Sequence, residues 1–302
     1  MKKLTEPEDQ PPPVAASSTH ELLAEILLNG FPANNQWVTQ FSQDCNLQTV
    51  QLGDELIYSG NLSPTESSLA CHLPQDLLIV CQGNLRLLSW DCTQQKDIPV
   101  QLLEEGESCG ADEQFCDRPW PYRAIATGEG LVAILPHTKL HHWLHQVPQL
   151  RDHLAQSTTI RQQLIFLKVA TEFRTQPSRV LKRLLPYLTE ASIPTGSELA
   201  QVTPTQAGRW WLRHGKIQGQ TEPLPAIGDS WGFPDAVPVD WVAATELQVY
   251  HLARDYWEMA QVVVPALKPG SAASDTPPTR PPALRSQPSA SMWWFIGSSA
   301  IG

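Results

Sequence analysis

Apolar residues recur at helical spacing toward both ends of this chain and in short alternating runs between them. In HELLAEILLNGF, residues 20–31, Leu22, Leu23, Ile26 and Leu27 fall on one face. NNQWVTQFSQDC repeats the pattern with Trp37, Val38 and Phe41, so two short entry helices are expected. From Leu47 to Leu135 the period shortens. TVQLGDELIYSG, LLIVCQGNLRLLSW, DIPVQLLEEGES and RAIATGEGLVAIL are separated by Gly, Pro, Asn and Asp, as the strands of a β unit are. Gly83-Asn84 lies between two of these runs, where a hairpin turn belongs. Helical spacing returns from His137 through TKLHHWLHQVPQLRDHL and RQQLIFLKVATEF, then resumes after Pro177 in SRVLKRLLPYL.

The β pattern then repeats in the same order. TVQLGDELIYSG is answered by ASIPTGSELAQVT, LLIVCQGNLRL by RWWLRHGKIQG, EGESCG by IGDSWG, and AIATGEGLVAILP by VAATELQVYHLA. The closing helical stretches correspond too, HHWLHQVPQL with DYWEMAQVVVPAL. Two copies of one fold follow: 20–188 with entry and trailing helices, and a shorter, degenerate 189–267. They are expected to pack as separate domains joined by helices at 151–188. Residues missing from the second copy fall between KIQG and IGDSWG, so a strand pair or loop is trimmed there. Trp210, Trp211, Trp231, Trp241 and Trp257 are read as core residues that replace the lost volume.

Composition bounds the remainder. Residues 1–19 are rich in Pro, Ser and acids, and 268–290 hold six prolines among Ser, Thr and Ala. Residues 1–19 are expected to be disordered, and 268–302 to be a Pro-rich linker with an apolar tail, MWWFIGSSAIG. A net charge of −10 argues against nucleic acid, which requires clustered Lys and Arg. The seven Arg and Lys against two acids in 151–188 are read as one face of an amphipathic helix. No apolar run is long enough to cross a membrane. After Lys2 and Lys3, acids and prolines stand where a secretory signal carries its apolar core, so a cytoplasmic location is expected. Cys45, Cys71, Cys81, Cys92, Cys109 and Cys116 form no metal-finger or Cys-x-x-Cys spacing and are read as reduced thiols. His141 and His145 stand at chelating spacing, but no further ligand is near them in sequence.

The stretch GESCGADEQFCDRPWPYRAIA, residues 106–126, carries a resemblance. A β-roll ending in Gly-x-x-x-Gly, then a turn into Ala-x-Ala and a closing helix, resembles the cyclic-nucleotide-binding domain family. The resemblance covers most of each copy. It implies a mainly β fold with flanking α-helices: two cyclic-nucleotide-binding-like β-rolls of the double-stranded β-helix or jelly-roll type, joined by helices. In that family a Glu in the cassette bonds the ribose and an Arg pairs the cyclic phosphate. Here Gly106 and Gly110 match the glycines, and Ala111 takes the place of the Glu. Asp112 and Glu113 follow it and are expected to point elsewhere unless the short helix here is rotated. Ala124 matches the family's Ala, which sets Tyr122 at the Arg position and Arg123 one place later. On an extended strand one residue reverses the face, so Arg123 is expected to point away from the pocket that Tyr122 faces. Restoring Tyr122→Arg with Ala111→Glu is expected to recover part of the affinity. In the second copy Phe233, Pro234 and Asp235 follow Gly232, and Asp240 and Trp241 occupy the phosphate side.

Neither roll carries the His-x-His and Glu metal set of a double-stranded β-helix enzyme, a Ser-His-Asp set or a Gly-x-Ser-x-Gly motif. A non-enzyme without cofactor is expected: a regulatory or docking module. Two such rolls followed by a Pro-rich linker look like the N-terminal region of bacterial peptidase-containing ABC exporters. That resemblance implies a protein partner, an exporter or its peptidase domain, and a place at the inner face of the plasma membrane. A genuine cyclic-nucleotide or small-anion sensor is the alternative, and a ligand-responsive transcription regulator the second.

Overall fold

The computed structural model describes residues 16–30, 36–57, 76–91 and 94–267. Most of the N-terminal segment expected to be disordered, the whole of 268–302, Cys71 and Cys92 lie outside them. Helices α1 (Ala16–Gly30) and α2 (Val38–Asp44) precede the first β unit. That unit comprises β1 (Asn46–Val50), β2 (Glu55–Ile57), β3 (Leu77–Gln82), β4 (Leu85–Asp91), β5 (Lys96–Leu103), β6 (Ser108–Gly110), β7 (Arg123–Ala126) and β8 (Gly130–Leu135). Three helices follow, α3 (His137–Gln146), α4 (Pro148–Val169) and α5 (Ser178–Leu184). The second unit contains β9 (Leu188–Ile193), α6 (Leu199–Val202), β10 (Gly208–His214), β11 (Ile217–Gln218), β12 (Ser230–Gly232), β13 (Val242–Ala243) and β14 (Leu247–Ala253), closed by α7 (Trp257–Val263). The architecture is mainly β with flanking α-helices, two β-rolls joined by helices.

Strand order shows the repeat directly. The first roll has one sheet ordered β1-β8-β3-β6 and a second ordered β2-β7-β4-β5. The second roll repeats the first of these as β9-β14-β10-β12. Its other sheet is reduced to β11-β13, the counterparts of β4 and β7. The counterpart of β2 survives as a single bridge between Glu198 and Val242. No described strand corresponds to β5; the shorter segment between β11 and β12 carries Pro223 and Pro225, which donate no ladder hydrogen bond.

Side-chain alternation divides the apolar residues between cores. In β3, Leu78 and Val80 face the inside of the first roll. Leu77, Ile79 and Cys81 face α1, α2 and α3 on the other side. In the second roll Trp210, Leu212, Leu247 and Val249 point inward, with Trp231 and Trp241. Trp211, Tyr250 and Leu252 point outward and are nevertheless buried, since they join the cluster that holds the inside of the first roll and the C-terminal half of α4. The second roll thus has an inner cluster of its own, but its outward face shares the core of the first roll, in contrast to the two separately packed domains expected. Phe166 of α4 stands at the junction, with its ring centroid 5.8 Å from Trp120 of the first roll and 5.1 Å from Tyr250 of the second.

Candidate functional site

The cassette lies between β6 and β7. Gly110 (φ +87°) turns the chain out of β6, and a Cβ there would stand 2.2 Å from the Asp76 carbonyl oxygen, so the neighbouring backbone demands glycine. Ala111 follows in the left-handed region at φ +55°, and a single 3-10 turn spans Asp112–Gln114. The chain then crosses Pro119-Trp120-Pro121 into β7.

Within β7 the alternation is as expected. Tyr122 and Ala124 are fully buried inside the roll. Arg123 points the other way: its Nε donates to Glu55 Oε1 at 2.6 Å, Nη2 to Glu55 Oε2 at 3.0 Å, and Nη1 to Asp97. Its guanidinium is committed to neighbouring strands, and the Glu55 hydrogen bond leads the effects that raise its pKa above the ordinary Arg value.

Asp112 points inward, the outcome that a rotated short helix allows. The left-handed turn at Ala111 rotates the short helix so that Asp112 enters the roll, where it is 0% exposed. Its Oδ2 accepts from the Tyr122 hydroxyl, whose oxygen accepts in turn from the Gly110 amide at 2.8 Å. Its Oδ1 accepts from Arg161 Nε at 3.0 Å, Arg161 Nη2 at 2.8 Å and Gln162 Nε2 at 3.2 Å. Arg161 also donates to the Ser108 carbonyl and the Thr158 hydroxyl, both at 3.0 Å. Gln162 Oε1 accepts from the Trp120 amide at 2.6 Å, tying the crossing loop to α4. Glu113, one position on, is exposed.

This is a buried ion pair with its hydrogen-bonding valences filled. Burial leads the rise of the Tyr122 pKa well above the ordinary phenol value, so its hydroxyl stays protonated and donates to Asp112. Burial acts to lower the Arg161 pKa, but the paired Asp112 carboxylate outweighs it and holds the guanidinium charged. Cys109, fully buried beside them, is pushed up to about 12 by burial and stays a thiol. Chemically, the site holds a carboxylate and its counter-ion inside the cassette. Both belong to the chain itself.

Arg161, Thr158 and Gln162 did not emerge from the sequence as site residues. In the sequence, Trp143, Val147, Leu150 and Leu154 fall at the spacing of a helical seam, which Ser157 and Arg161 interrupt. A charge at an apolar seam position was the available signal, and its partner lies far away in sequence.

The second roll closes over this region. Arg213 of β10 is 8% exposed, pairs with Glu190 and donates to Cys116 Sγ at 2.9 Å and the Arg118 carbonyl at 3.5 Å, both on the first roll's crossing loop. In its own cassette region Gly228 and Gly232 again take positive φ, +94° and +85°. Asp240 accepts from the Thr221 amide and hydroxyl, each at 2.7 Å, so its carboxylate caps a surface turn. Among the described residues no group of His, Cys, Asp and Glu is arranged to hold a metal ion, and no helix is long and apolar enough to cross a membrane.

No family model matches the chain, and no curated protein matches it. Among solved structures, the regulatory domain of Toxoplasma gondii PKA with cAMP is similar at 14% identity over 82% of this chain and 94% of that one, with a TM-score of 0.36. A regulatory subunit of a cAMP-independent protein kinase A from Trypanosoma cruzi, bound to guanosine, is similar at 16% identity over 88% of this chain and 90% of that one, TM-score 0.34. The catabolite activator protein of Thermus thermophilus is similar at 16% identity over 54% and 63%, TM-score 0.35. At these scores the likenesses carry no argument about this chain, whose fold is read from its own strand order.

Proposed function

We propose that this chain is a non-catalytic regulatory or docking module of two cyclic-nucleotide-binding-like rolls, the first of which carries its own anion in place of a ligand. The observation behind this reading is the Asp112–Arg161–Tyr122 network. Asp112 is buried in the cassette against Tyr122, the position at which the resemblance sets the phosphate-pairing Arg, and the cation facing it comes from α4. A cyclic phosphate entering here would meet a carboxylate and would have to displace it from Arg161, while Tyr122 offers no positive charge. Losing a charge-assisted hydrogen bond of about 1.5–3 kcal/mol is alone worth roughly ten- to a hundredfold in affinity.

Calorimetric titration of the full chain with cyclic AMP and cyclic GMP tests this, and no saturable heat is expected below about 100 μM. Tyr122→Arg with Ala111→Glu is now expected to remain silent, because the new Arg would pair with Asp112. Binding should emerge only when Asp112→Ser is added. Low-micromolar binding by the unaltered chain would overturn the reading.

The finer proposal is the partner. Two rolls followed by a Pro-rich segment keep the order of the regulatory region of peptidase-containing ABC exporters, and this supports docking on such an exporter at the inner membrane face. Membrane vesicles bearing the exporter should then retain the chain on sedimentation, whereas retention equal to that by exporter-free vesicles would count against this partner.

A further inference from the structure

A cavity of about 460 Å³ lies beside the cassette, between β5, the turn into β6, α4 and α5. It is bounded by Ser108 and Arg161 but not by Ala111, Asp112 or Tyr122, so it is a different space from the cassette interior. Its volume is in the range of small-molecule sites. Leu103, Ile160, Leu185 and Pro186 give it apolar walls.

Of the cations on its wall, Arg161 is held by Asp112, whereas Lys182 makes no ion pair among the described residues. The wall's carboxylate, Glu107, is already engaged: Oε2 accepts from the Glu104 amide at 2.8 Å and Oε1 from Gln101 Nε2 at 3.3 Å. Helix α4 and its successors carry the excess of Arg and Lys in a chain whose net charge is −10. Lys182 therefore offers a counter-charge to an anion whose apolar body fills the space beside it.

We propose that this cavity binds a small organic carboxylate, its apolar body between Ile160 and Leu185 and its charge toward Lys182. The site is independent of the cassette reading, since it uses none of the Asp112 bonds.

Decanoate, decanol and decylammonium, titrated into the full chain, separate charge from hydrophobicity. Decanoate is expected to bind saturably, decanol at least tenfold more weakly, and decylammonium not at all. Lys182→Glu, on an exposed helix surface, should weaken decanoate at least tenfold. Ser157→Trp, which fills the cavity, should abolish binding, with the thermal midpoint reporting that the variant is folded. If Ser157→Trp does not fold, Lys182→Glu carries the test alone. Equal affinity for the three amphiphiles, decanoate binding unchanged by Lys182→Glu, or no saturable decanoate binding up to about 1 mM would overturn the proposal.

Discussion

Arg161 and Asp112 are 3% and 0% exposed, so neither charge has water to fall back on if the other is removed. Removing one partner of such a pair costs about 3–5 kcal/mol, whereas replacing both is far milder. Arg161→Leu should therefore destabilise the chain by about that amount in urea denaturation, and adding Asp112→Asn should recover most of the loss. A cost of less than about 1 kcal/mol for Arg161→Leu would mean that the pair is not buried. His251 makes a different residue-scale prediction. It stacks on Trp210 at 3.8 Å between ring centroids, its Nε2 lies 3.1 Å from the Ala207 carbonyl, and burial lowers its pKa. The unfolded chain therefore takes up the proton first as pH falls. Its stability contribution is complete above the unfolded value of about 6.5 and is lost as pH falls through the lower folded value. Thermal midpoints should drop between pH 7.5 and 5.5, and the drop should narrow in His251→Phe. An equal drop in the variant would assign the titration to another group, such as His214, whose pKa burial also lowers.

At the scale of elements, the glycines that end strands are where the chain is least free to change. Gly228 takes φ +94°, and a Cβ there would sit 1.9 Å from the Ala170 carbonyl oxygen, whereas Gly53 takes φ +91° with nothing within 4 Å. Both substitutions to Ala incur the left-handed backbone cost of about 1–2 kcal/mol, but only Gly228→Ala adds a clash with rigid backbone. Gly228→Ala should thus be clearly the more destabilising by denaturant midpoint, and equal losses would remove the close approach from the account. These glycines, the alternating strands and the four repeated blocks were readable in the sequence because each is a local signal: a turn that needs positive φ or a period of two. Helix α4 was less readable. From Arg161 to Val169 every residue is buried, Arg161, Gln162, Gln163 and Lys168 included, so this part has no exposed basic face of the kind an amphipathic helix would carry. Arg161 and Asp112, 49 residues apart, recognise each other only once α4 has packed across the roll. The direction of Asp112 stays open in the sequence because it depends on one left-handed residue, and Ala111 gives no hint of that in its type.

For the whole molecule, the repeat predicts two units, and the packing turns them into one. The inward faces of β10 and β14 give the second roll its own small core, but Trp211, Tyr250 and Leu252 on their outward faces join the core of the first roll through Phe166, Phe173 and α5. Separating the rolls would expose those aromatics and strand the nearly buried Arg213 away from Cys116 and the Arg118 carbonyl. Such an apolar contact is not seen in the sequence, because outward-facing aromatics on a sheet look the same whether they meet solvent, a partner or their own chain. Its consequence is thermodynamic: the rolls should unfold together. Scanning calorimetry of the full chain should give one endotherm with calorimetric and van't Hoff enthalpies that agree, near 0.7 kcal/mol per ordered residue at about 60 °C. Trp211→Ala, which opens a void at the junction, should lower that single transition and begin to split it, the second roll melting first because it lacks the β5 counterpart. Two resolved transitions in the unaltered chain would show that the shared core does not couple the rolls. The second roll would then be free to move relative to the cassette loop that Arg213 holds.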